Sequence, residues 1–116
     1  MKVEAKKFLE YENLKGDIVF DLFGFRDCED FVTMTKIIKV IIKPNSIQYS
    51  GIIDMDGYFV KDGIRVEMEY DSMTGNELIY KGDRSEEKVA KVRQWAQIVF
   101  SELMRRDQEG NSLGDP

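Results

Sequence analysis

The 116-residue chain contains no histidine, one cysteine and two prolines. Without histidine, the commonest general base and metal ligand is missing. Ser-His and Cys-His nucleophile pairs cannot be assembled within one chain. A single cysteine can neither furnish a Cys/His zinc site nor close an internal disulfide. A lone thiol agrees with a reducing compartment, so the expected location is cytoplasmic. No apolar run approaches the roughly 18 residues that a spanning helix needs. The opening MKVEAKKFLEYE alternates charged and apolar residues, so no signal peptide is expected there. No glycine-rich dinucleotide fingerprint or phosphate-cradling loop is present either. These absences point away from an enzyme, a cofactor and a bound metal.

What is present suits a soluble globular chain, with 42% hydrophobic and 34% charged residues. The length fits one domain with a core of its own, expected over residues 1–107. Residues 108–116, with Gly110, Gly114 and Pro116, read as a flexible polar tail. The net charge of −5 is unevenly spread. From Asp54 to Asp83 eight carboxylates face only Lys61, Arg65 and Lys81, whereas Arg84 to Arg106 carries six basic groups against three acidic. An acidic sheet surface beside a more basic helix is one arrangement this allows.

The helix is the clearest element. Over Ser85 to Arg106, a step of 100° per residue gathers Val89, Val92, Trp95, Ala96, Val99, Phe100, Leu103 and Met104 on one face. Asp83 and Glu86 form a candidate capping box at its start. Ile98 breaks the pattern, about 180° from Val89.

Strands are expected before it. Residues 2–12 alternate loosely, and Asp17 to Phe25 is rich in β-branched and aromatic side chains. Phe31 to Lys43 contains so many β-branched residues that a long strand fits better than a helix. Ile47 to Ile53, Tyr58 to Lys61, Ile64 to Tyr70 and Glu77 to Lys81 complete the set. Asp56-Gly57 and Asp62-Gly63 are hairpin signals, since type I′ turns need positive φ. The expected fold is α+β: an antiparallel meander of six to seven strands, as a curved sheet or partly closed barrel, packed by one long C-terminal helix. Strands closed by a helix carrying a central tryptophan resemble the pleckstrin-homology superfold, with Trp95 in the helix and Phe59 and Tyr70 beneath it. That resemblance implies a site for a small ligand or lipid headgroup, for which Tyr58, Phe59 and Tyr70 are candidate lining residues.

Several groups invite a chemical reading. Cys28 lies among Asp27, Glu29 and Asp30, the opposite of the positive setting that activates a thiol. Asp54-Met55-Asp56-Gly57 recurs in calcium loops, but an EF-hand register would put Ile52 and Gly63 where acidic ligands are required. A hairpin turn is the better reading there. Glu67, Glu69 and Asp71 alternate with Ile64, Val66 and Met68, so they line the wet face of one strand. Nucleic-acid binding would draw on Lys36, Lys39, Lys43, Arg84, Lys88, Lys91 and Arg93 with Tyr49 and Tyr58, against an acidic field. Phe31 to Ile42 is apolar on both strand faces, and one helix covers one side of a sheet. A second copy or a protein partner is therefore expected to cover the rest. The lead expectation is a non-catalytic binding or assembly protein, a homodimer or acidic inhibitor-like module, with Glu67, Glu69, Asp71 and Ile98 as candidate partner-binding residues.

Overall fold

Alternating residues with one apolar set build six strands, and two helices cover the face where those apolar sets converge. A computed structural model describes residues 5–112, with side chains described through residue 109. The order is β1 (Lys7–Glu12), β2 (Ile18–Phe23), α1 (Cys28–Ile37) running into a π-helical turn (Ile38–Ile42), then β3 (Ser46–Gly51), β4 (Met55–Lys61), β5 (Ile64–Asp71), β6 (Gly75–Tyr80) and α2 (Glu86–Ser112). The sheet order is β1-β2-β6-β5-β4-β3, with every pair antiparallel. It is an open sheet, with β1 and β3 at its edges. Among the described residues no helix is long and apolar enough to cross a membrane.

Phe31 to Lys43 is not a strand. It forms α1 and the π-helical turn, and the physical reason is burial. Phe31, Met34, Thr35, Ile38 and Ile42 recur at helical spacing and are buried, as is Ile37. A branched residue costs a helix about 0.5 kcal/mol. A fully buried side chain of this size contributes about 1.5–3 kcal/mol. Burial wins. The turn widens at Ile38, whose carbonyl accepts the Lys43 N–H at 2.9 Å, and Lys43 ends it at φ 57° before Pro44. Asp27 and Asp30 start α1 as a capping box, with Asp30 Oδ2 accepting the Asp27 N–H at 3.1 Å. The helix in place of a third strand, and the open sheet, remove the likeness to a pleckstrin-homology barrel.

The turns also shift. Asp62 and Gly63 both adopt positive φ, 53° and 76°, as the type I′ reading requires. Asp56-Gly57 instead lies inside β4, where a Cβ on Gly57 would fall 2.1 Å from the Gln48 carbonyl oxygen. The β3–β4 connection is built upstream, with Gly51 at φ 127°. At α2 the cap is Ser85 rather than Asp83: its hydroxyl accepts the Lys88 N–H at 3.3 Å, while Asp83 accepts the Ser85 N–H.

One core lies between the sheet and both helices. Phe20, Leu22, Phe59, Val66, Met68, Leu78 and Tyr80 face Phe31, Met34, Val92, Trp95 and Val99. Trp95 meets Phe59 edge-on at 5.9 Å, and Phe100 closes against Phe8 and Phe25. Residues 108–112 continue α2 as helix, and 113–116 lie outside the described residues.

Candidate interaction surface

With both helices on one side, the other face of the sheet is left open, and the pairing registers determine what it displays. Asp21 lies opposite Glu77, Glu77 opposite Glu69, and Glu69 opposite Asp56. Four carboxylates thus form a row across β2, β6, β5 and β4, spanning about 14 Å at the usual strand spacing. Glu67 and Asp71 flank it on β5, on the same face because residues two apart share a side. Beside it runs a second row, Tyr11, Val19, Ile79, Glu67 and Tyr58. Val19 and Ile79 are buried there between their larger neighbours.

The electrostatics of the row follow from its crowding. Burial raises the Glu77 carboxyl above its ordinary range, and Asp21, Glu69 and Asp71 push it the same way, against a hydrogen bond from the Tyr11 hydroxyl at 3.1 Å. Burial alone raises Asp21, whose Oδ1 has no hydrogen-bond partner among the described residues. Burial and the Glu77 charge push the Tyr11 phenol up to about 12. Asp21, Glu69 and Asp56 make no ion pair among the described residues. Arg65 is engaged with Glu67 at 2.8 Å and stacks over the Tyr58 ring at 3.8 Å, while Lys81 borders Glu67 and Glu69 and Arg26 borders Asp21 and Glu77.

Elsewhere the chain neutralises itself. Arg84 pairs with Glu12, Lys88 with Asp83, Lys91 with Asp62 and Arg93 with Glu10, while Arg105 and Arg106 share Glu102. Arg84, Lys88, Lys91 and Arg93, which nucleic-acid binding would draw on, are thus each paired with a carboxylate of the chain. On α1 and its π-helical turn, Lys39 reaches the Tyr49 hydroxyl at 3.2 Å.

Two depressions adjoin the row. One, of about 510 Å³, lies over Gln48, Ser50, Asp56, Tyr58 and Arg65. The other, of about 220 Å³, lies between Tyr11, Asp21, Phe23, Arg26, Met73 and Glu77. Among the described residues no three carboxylates come together closely enough to hold a metal ion.

Of the residues singled out in the sequence, Glu67, Glu69 and Asp71 come together on this face. Ile98 does not join them. It packs partly buried against the core and lines a groove with Ile41 between the π-helical turn and α2. Tyr58 and Phe59 point to opposite faces, Phe59 and Tyr70 being on the core side, so the three cannot line one pocket. Cys28 is an exposed thiol in the first turn of α1. Asp21 and Glu77 carry no such signal in the sequence, and Asp56 reads there as part of a turn, because a row perpendicular to the strands exists only once the registers are known. Compared with known protein families, curated proteins and solved structures, the chain matches none.

Proposed function

We propose that the chain is a non-catalytic protein-binding module that docks a basic partner on its open sheet face. The observation that carries this reading is the row Asp21–Glu77–Glu69–Asp56, set in register with Asp21, Glu69 and Asp56 outside any ion pair among the described residues, while the basic side chains of α2 are paired internally. Like charges directly opposite on a sheet cost stability, about 0.2–1 kcal/mol per pair. A partner presenting lysine or arginine side chains relieves that repulsion and so gains at the same spot. Tyr11, Phe23 and Met73 add apolar surface at one end of the row, where an aliphatic or aromatic anchor of the partner can seat.

The test is quantitative capture from the source cell with three matched baits. Wild type and a Glu86→Lys/Glu87→Lys variant are expected to retain the same partner. A Glu69→Lys/Asp71→Lys variant, of equal net charge, is expected to lose it. Equal retention by both variants would show that the row is only a solvated surface.

A further inference from the structure

The two edges of the sheet are built differently. β1 reads KFLEYE and is guarded by charge, with Glu10 also tied to Arg93 of α2 and Glu12 to Arg84 just ahead of that helix. Charged edges discourage pairing with another chain. β3 reads SIQYSG, with no charged residue and no proline, and β4 is its sole strand neighbour among the described residues. Alternate residues of such a strand point their N–H and C=O groups outward. Immediately past its end, Ile52 and Ile53 are 92% and 77% exposed. The flanks carry opposite charge: Lys43 precedes the strand, Asp54 follows it, and neither side chain forms an ion pair among the described residues.

We propose that β3 pairs antiparallel with β3 of a second copy of this chain, about a two-fold axis normal to the sheet at mid-strand. That operation exchanges the two ends of the strand. With the axis at Gln48, so that opposed residues share a face, Lys43 of one copy lies one position from Asp54 of the other, twice. Ile52 and Ile53 leave solvent against the Pro44-Asn45 corner and the aliphatic stem of Lys43. Parallel pairing would oppose Lys43 to Lys43 and Asp54 to Asp54, so charge selects the antiparallel form. The interface is isologous and closes at two copies. Because the axis is normal to the sheet, all helices stay on one side. The two acidic rows then share the other side, and the dimer offers a bivalent surface. The pairing itself rests on β3 and its flanks and is independent of what the acidic row binds.

Sedimentation equilibrium from micromolar to millimolar concentration, with amide exchange of the same samples, tests this. A dimer is expected, with β3 amides increasingly protected as concentration rises and β1 amides unchanged. Ile52→Lys/Ile53→Lys is expected to weaken dimerisation at least about tenfold. Asp54→Lys alone should weaken it, and Lys43→Glu added to Asp54→Lys should restore it, which keeps the test decisive if the isoleucine variant misfolds. A monomer at every concentration, protection on β1, or a dimer indifferent to these substitutions would overturn the proposal.

Discussion

Asn76 shows how much one buried amide can hold in place. It is fully buried, and its Nδ2 donates to the carbonyls of Phe25 and Asp27 at 2.9 and 3.2 Å. It thereby fixes the loop that delivers Asp27 as the cap of α1. Asn76→Ala leaves both carbonyls without that donor and is expected to cost about 1–3 kcal/mol, read by urea unfolding. Asp21 makes a prediction of opposite sign. Its carboxyl is held above the ordinary range in the folded chain, so the fold binds that proton more readily than the unfolded chain does. The resulting stabilisation is present below the unfolded value, about pH 4, and is lost as pH rises through the raised value. Asp21→Asn removes the charge that burial opposes. The variant is expected to be more stable than wild type at pH 7 and nearly equal to it at pH 4. Unfolding at the two pH values decides it; a variant less stable at pH 7 would mean that the charge is compensated.

The elements were legible in proportion to how local their causes are. Val89, Val92, Trp95, Val99 and Leu103 recur at helical spacing, and α2 lies where that spacing put it. Ile64, Val66 and Met68 alternate, and β5 follows. Phe31 to Lys43 misleads because its branched residues favour a strand locally, while the burial that favours a helix comes from a sheet assembled from distant segments. The local clue was Asp27-x-x-Asp30 ahead of Phe31, a capping-box spacing followed by apolar residues at i, i+3 and i+7. Asp27→Ala is expected to destabilise the fold by about 1 kcal/mol, with amide exchange accelerating first in α1. The helical fold of this segment also removes the ground for expecting a partner over it. Phe31 to Ile42 does not present two apolar sheet faces, since α1 and its π-helical turn direct their apolar side to the core and leave Val32 and Val40 outside.

For the whole molecule, the division of labour is between a face that is covered and a face that is not. Helices α1 and α2 enclose one side of the sheet, the basic groups of α2 are paired with carboxylates of the chain, and the open side keeps Asp21, Glu77, Glu69 and Asp56 in line. The alternation of Glu67, Glu69 and Asp71 was readable from the sequence; the row running across four strands was not, because it depends on which strands are neighbours. On the proposed reading this row, rather than overall acidity, binds a basic partner. Titration of a lysine-rich peptide into wild type and two variants of equal net charge tests it most directly. Glu86→Lys/Glu87→Lys on α2 is expected to leave affinity within about twofold, while Glu69→Lys/Asp71→Lys on the row lowers it at least about tenfold. Equal losses in both variants would contradict the account, leaving only the general attraction of an acidic protein for a basic peptide.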